Sequence, residues 1–261
     1  MRTYKPIVCF IPIFLLLISM PLDASEIGKE VKITYLGHSA FKLVSPKGVV
    51  IYIDPFLNGN PKTPEKMKAV EKADLILVTH GHEDHVGDAL AIAEKTKAKI
   101  VCQYELGLYL ARKGAKNIIE MNKGGTLTSH GIDITLVHAL HSSSAMEGNQ
   151  VIYTGEPAGF VIRFENGFTL YHAGDTGVFG DMKIIGEIYK PVLSLLPIGG
   201  LYTMDPREAA YGAKLLGSKL VIPMHYGTFP VLTGTTEEFV KRMKEVPQTK
   251  VLIVKPGETV Q

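Results

Sequence analysis

The strongest constraint on what this chain can fold into lies between residues 75 and 87. A four-residue apolar run, Leu75-Ile76-Leu77-Val78, is a buried-strand signal. It passes directly into Thr79-His80-Gly81-His82-Glu83-Asp84-His85-Val86-Gly87 and then into a stretch of helical spacing. The polar cluster therefore sits at a strand-to-helix turn, where a rigid scaffold can expose side chains and where sites are commonly built. The rest of the chain agrees with a layered domain. Strand-like runs recur at Val31–Tyr35, Ala40–Val44, Val49–Ile53, Lys99–Cys102, Ile132–Val137, Gly159–Phe164, Phe168–His172, Val192–Leu196 and Lys219–Met224. Helical spacing marks Pro64–Lys72, Asp88–Lys95, Glu105–Arg112, Pro206–Leu216 and Thr236–Lys244. Early strands are joined by tight turns such as Ser45-Pro46-Lys47-Gly48 and later ones increasingly by helices, which predicts sheets covered by helices in one α/β domain over residues 26–261.

A chain of 261 residues buries enough surface to fold without disulfides or a structural metal, so a metal site found here is expected to be functional. Lys and Arg number 28 against 26 Asp and Glu, which gives no broad basic field, and no nucleic-acid partner is expected. Of the two cysteines, Cys9 lies in the first apolar segment and Cys102 in the body, so the body cannot form an internal disulfide. Arg2 and Lys5 precede an apolar run, Ile7 to Met20, that Pro21 and Asp23 then interrupt. The run is shorter than the roughly 20 residues that span a bilayer. Residues 1–25 read as an export signal, with an uncleaved N-terminal anchor as the alternative, and a periplasmic or extracellular location follows. No other stable membrane partner is expected, and oligomeric state is not legible.

Three imidazoles and a carboxylate within six residues supply the nitrogen and oxygen donors that suit zinc, manganese, nickel or iron. His80 and His82, two apart, can converge on one ion, while Asp84 and His85 at the helix start can point toward a second. With nine histidines in the chain, chance produces His-x-His-x-Asp-His in roughly one such sequence in three thousand. One turn cannot surround two ions, so the remaining ligands should come from other strand ends. His141, Asp175 and His225 each follow an apolar run and fill such positions.

These residues carry a resemblance. The order His-x-His-x-Asp-His, then His, Asp and His, resembles the signature of the metallo-β-lactamase superfamily. Tyr35-Leu36-Gly37-His38-Ser39-Ala40-Phe41, Ile53-Asp54-Pro55-Phe56, His172-Ala173-Gly174-Asp175-Thr176-Gly177, Leu196-Pro197-Ile198-Gly199-Gly200 and Pro223-Met224-His225-Tyr226-Gly227-Thr228 are similar to the uncharacterised metal-dependent hydrolases related to L-ascorbate-6-phosphate lactonases. The resemblance implies a four-layer αβ/βα sandwich with a cleft at one edge of the two sheets. It further implies two divalent metal ions, zinc foremost and manganese, nickel or iron as alternatives. His80, His82 and His141 would hold the first, Asp84, His85 and His225 the second, and Asp175 would bridge them. Asp84 is also the candidate catalytic residue. Asp54 would orient the His-rich turn from behind, with a plain Asp-Pro turn as the alternative. His38 either lines the cleft or serves the fold, and His130, His138 and His172 are read as structural.

The activity implied is hydrolysis of an ester, lactone, amide or phosphodiester in a small-molecule substrate by metal-activated hydroxide. Family likeness alone suggests a carboxylic or phosphorylated compound. The alternatives are a phospholipid-cleaving phosphodiesterase similar to N-acyl-phosphatidylethanolamine phospholipase D and a non-catalytic metal-binding module. Ser142-Ser143-Ser144 has no Gly-x-Ser-x-Gly elbow and reads as a polar loop, with substrate contact as the alternative, rather than a nucleophile. Tyr226 and Thr228 are candidates for substrate contact.

Overall fold

The structure, a computed structural model, describes residues 30–261, so the export signal expected at residues 1–25 lies outside the described residues. The first half of the chain forms β1 (Lys32–Gly37), β2 (Ala40–Val44), β3 (Val50–Ile53), β4 (Leu75–Leu77), α1 (Glu83–Val86), α2 (Ala89–Thr96), β5 (Lys99–Gln103), α3 (Tyr104–Arg112) and β6 (Ile118–Met121). Successive residues of a strand face opposite sides, and here both sides are apolar. Ile51, Ile53, Leu75, Leu77 and Val101 face one core; Val50, Tyr52, Ile76, Ile100 and Cys102 face a second core. The second core is closed by Ala89 and Ile92 of α2 and by Leu106, Tyr109 and Leu110 of α3.

The remaining chain adds β7 (Thr126–Ser129), β8 (Ile132–His138), β9 (Ser144–Glu147), β10 (Gln150–Tyr153), β11 (Ala158–Arg163), β12 (Thr169–His172), α4 (Met182–Tyr189), β13 (Leu193–Pro197), α5 (Pro206–Leu216), β14 (Leu220–Met224), α6 (Thr236–Met243), β15 (Lys250–Val251) and β16 (Thr259–Val260). One sheet runs β16-β1-β2-β3-β4-β5-β6 and the other β15-β14-β13-β12-β11-β8-β7, with β9 and β10 forming a separate hairpin. Each sheet is antiparallel in one half and parallel in the other: β3 to β6 are parallel in the first, β12 to β15 in the second. Parallel neighbours need crossovers, and these carry the helices. The first core, between the sheets, extends to α4, α5 and α6 through Ile185, Ala209 and Phe239. The result is the helix–sheet–sheet–helix order that the family resemblance implies.

The helix expected at Pro206–Leu216 forms as α5 and carries a capping box. Asp205 accepts from the Glu208 amide at 2.8 Å, the Glu208 carboxylate accepts from the Asp205 amide at 3.3 Å, and Pro206 opens the first turn. The helix expected at Pro64–Lys72 is instead a single 3₁₀ turn at Glu65–Met67 that buries no residue of its own. Only Met67 and Val70 of the segment pack on the second core, too little apolar surface to support a longer helix. α4, β6, β7, β15, β16 and the β9–β10 hairpin were not expected from the sequence. β6 and β7 lie at sheet edges and are only half-buried, which removes the apolar run that marks an interior strand. No helix among the described residues is long and apolar enough to cross a membrane.

Candidate metal centre

Strands of both sheets deliver their carboxyl ends to one place. β1 leads to His38, β3 to Asp54, β4 to residues 79–85, β8 to His141, β12 to Asp175 and β14 to His225. In open α/β sheets this is where ligands bind. His38, Asp54 and His225 take left-handed backbone, with φ of 57°, 45° and 55°. For non-glycine residues that geometry costs on the order of 1 kcal/mol or more, and it persists where the surroundings impose it.

The donor atoms form connected groups. Those of His80, His82 and His141 lie within 4.8 Å of one another, as do those of His38, Asp84, His85 and His225. His80, His85 and Asp175 form a third group that links the first two. Asp175 Oδ2 lies 3.0 Å from His225 Nε2, 3.2 Å from His85 Nε2 and 3.7 Å from His141 Nε2, so one carboxylate oxygen faces both halves. All seven residues proposed from the sequence are thus brought together.

Charge is distributed as cation binding requires. Burial, reinforced by the charge of His85, holds His80 well below the ordinary imidazole range. Burial likewise lowers His82 and His141, leaving neutral rings with lone pairs to donate. Burial opposes ionisation of Asp175 and Asp84. For Asp175 the neighbouring His225 and His85 outweigh it, for Asp84 His85 and His38, and both carboxyls are held below their usual range. His85 runs the other way: burial disfavours its cation, but Asp175, Asp54 and Asp84 together raise it well above the usual value. Four buried atoms here have no hydrogen-bond partner: His85 Nε2, both ring nitrogens of His225, and Asp175 Oδ1. Each unsatisfied group costs about 1–3 kcal/mol, and their convergence is what coordinated divalent ions would relieve. The donor set fits such ions.

Comparison with known proteins decides the identity. Residues 50–226 match the family model described as the beta-lactamase superfamily domain. The chain is 55% identical over 228 residues to a UPF0173 metal-dependent hydrolase of Koribacter versatilis, covering 87% of this chain and 97% of that one. It is 47% identical over 229 residues to a counterpart in Methanopyrus kandleri, covering 87% and 98%. The chain belongs to the metallo-β-lactamase superfamily. It is a metal-dependent hydrolase, and among solved structures it is similar to the metallo hydrolase Igni18 of the archaeon Ignicoccus hospitalis. That structure superposes with a TM-score of 0.78 at 41% identity, over 88% of this chain and 97% of that one.

Around the donors, this superfamily member builds its supports from its own sequence. Asp54, fully buried, accepts from the Thr79 amide at 2.8 Å and the Thr79 hydroxyl at 2.7 Å, and lies 2.7 Å from His85 Nδ1. With Nδ1 turned to Asp54, the His85 Nε2 points toward Asp175, and Asp54 is more than a turn-former. Gly174 has φ +62°, and a Cβ there would stand 2.6 Å from the Ala158 carbonyl oxygen, so only glycine lets the chain turn into Asp175. His172 is buried; its Nε2 donates to the Ser39 carbonyl at 2.9 Å and its Nδ1 accepts from the Gly174 amide at 3.1 Å. It ties the end of β12 to the opposite sheet with both ring nitrogens engaged by backbone groups, in keeping with a structural role. His130 and His138 are exposed and lie against Ser129 and Lys123 respectively.

The contacts of His38 were not legible in advance. Its Nε2 lies 2.9 Å from Asp84 Oδ2 and its Nδ1 3.0 Å from the Thr228 hydroxyl, which places it inside the centre. The Gly-His-Ser motif flagged the residue but not its partner, because that partner lies 46 residues away. Thr228 is thereby engaged with His38. Ser143 is buried, not an exposed loop residue: its hydroxyl accepts from the Gly81 amide at 3.0 Å and pairs with Thr154 Oγ1 at 2.8 Å.

Proposed function

We propose that this hydrolase works through a dinuclear centre, with His80, His82 and His141 on one divalent ion, Asp84, His85 and His225 on the other, and Asp175 between them. The observation that carries this reading is the position of Asp175 Oδ2, which faces donors from both groups within 3.7 Å. When bound, a pair of such ions supplies hydroxide near neutral pH and polarises the bond to be cleaved. Zinc is the favoured ion, since neutral imidazoles with carboxylates suit it, and manganese, nickel and iron are the competitors.

The chain's own residues then divide the work. Asp54 and Thr79 fix the turn that presents His80, His82 and His85. Asp175, with 3% of its side chain exposed, holds the two halves at fixed separation. Asp84, at 33%, is the carboxylate that solvent and substrate can reach. His38 orients Asp84 through the 2.9 Å contact and, with His85, keeps it ionised, so its carboxylate can accept a hydrogen bond from the attacking water and orient it during hydrolysis of an ester, lactone, amide or phosphodiester in a small molecule. The test is metal titration together with chelator-sensitive hydrolysis of such a substrate panel. Two equivalents of metal at saturation and loss of turnover in His82→Ala are expected. Full activity with one equivalent, or an unimpaired His82→Ala, would refute the dinuclear assignment.

A further inference from the structure

Beyond the far side of His82 lies a cleft of about 530 Å³ to which no role has been given. Its apolar lining comes from Val86, Leu90, Tyr109, Leu110, Ala145 and Met146, so it is walled by α1, α2, α3 and the β9 strand of the hairpin. Gly81 and His82 of the metal-binding turn also line it, which places the cleft directly beside the centre. The hairpin wall is pinned at its base to that same turn through the Ser143 hydroxyl and Gly81 amide. Its outer part pairs with no other strand among the described residues.

The charges at this cleft do not favour an anion. Lys113 is there, but its ammonium is engaged by Glu147 at 2.7 Å, and Glu83 adds a further negative charge to the lining. Tyr109 lies beneath the same ammonium, 5.4 Å from ring centroid to Nζ. The ion pair joins the end of α3 to the hairpin, leaving the interior to apolar side chains. Volume and lining are those of a small-molecule site.

We propose that this cleft receives an uncharged apolar arm of the substrate, an aliphatic or aryl group attached to the bond cleaved at the metals. The substrate class is then an apolar acyl or alkyl ester, lactone or amide, rather than the small anionic compound that family likeness suggests. The inference rests on the dinuclear reading above, because it requires the scissile bond to lie at the metals on the other side of His82.

A ladder of straight-chain alkyl hydroxamates, from acetohydroxamate upward, separates the two. The hydroxamate head ligates metal, and only the tail varies. Titrating them calorimetrically into the zinc-loaded full chain should show affinity rising about three- to fourfold per methylene until the cleft is filled, then levelling. Leu90→Trp, which fills part of the cleft, should end the rise at a shorter chain. Binding of acetohydroxamate with no gain from longer tails would overturn the cleft assignment and leave the metal centre standing. A rise that Leu90→Trp does not shorten in a folded variant would place the tail elsewhere and overturn it too. Failure of every hydroxamate to bind zinc-loaded protein would remove the metal-centre reading, and this inference with it.

Discussion

At the scale of single residues, the centre is held by groups whose second contact matters as much as their first. Asp54 shows this most clearly, since one buried carboxylate contacts the Thr79 amide, the Thr79 hydroxyl and His85 Nδ1. In Asp54→Asn one of the two oxygens becomes an NH₂ that must face a donor. If it faces Thr79 N, that amide loses its acceptor; if it faces His85 Nδ1, the ring orientation is released. Either way metal affinity should fall by roughly 10–100-fold while the fold survives, as a competition titration with a chromogenic chelator would show. An unchanged titration would return Asp54 to a mere turn residue. Cys102 makes the contrasting case. Burial beneath α3, with Glu120 adding to it, pushes its thiol up to about 12, so thiolate is scarce below that pH. Native Cys9→Ser protein at pH 8 should therefore react with a thiol reagent far more slowly than the same protein unfolded in urea, and equal rates would show that this core opens readily.

At the scale of elements, glycine positions decide whether strand ends can meet. Gly174→Ala would place a methyl 2.6 Å from the Ala158 carbonyl and 3.0 Å from Thr79 Cβ, on a backbone with φ +62°. Overpacking of this kind costs about 1–3 kcal/mol, and the left-handed backbone adds to it. The variant should lose about 2–4 kcal/mol in urea denaturation and bind metal more weakly, because the shift falls on the residue before Asp175. A loss under about 0.5 kcal/mol would mean that the turn relaxes freely. The interior strands were legible because both of their faces are apolar, as in Val50–Ile53 and Leu75–Leu77, and α5 was legible from its helical spacing over Pro206–Leu216. The hairpin was not, since Gln150–Tyr153 is mostly exposed and, among the described residues, pairs only with β9. The donor turn was readable from residue spacing, whereas the His38–Asp84 and Ser143–Gly81 contacts depend on folding across 46 and 62 residues, which local pattern does not encode.

At the scale of the whole molecule, the two sheets are tied at the site by individual hydrogen bonds rather than by paired strands. His172 reaches across from β12 to the Ser39 carbonyl, and the His225 amide donates to the His38 carbonyl at 2.8 Å, so β14 of one sheet is tied to the end of β1 in the other. Divalent ions held between Asp84 and His85 of the first sheet and His141, Asp175 and His225 of the second would join the same two halves. Metal binding should therefore stabilise the entire domain, by about 2.7 kcal/mol for each ion when free metal stands at a hundred times its Kd. The gain depends on pH with a definite sign. His85 is held protonated well above its ordinary range in the metal-free protein, and its proton must leave before Nε2 can donate to an ion. Apparent affinity should thus rise with pH through and above the ordinary imidazole range, and binding should release protons. Thermal melts with and without chelator at several pH values, paired with calorimetry in buffers of different ionisation enthalpy, measure both effects. A metal-induced Tm shift that stays constant with pH, together with buffer-independent heats, would show that His85 is not displaced from its proton and so does not ligate. Because the first core continues from the sheet interface to α4, α5 and α6, the shift should appear as one cooperative transition rather than as local protection of the turn near residue 80.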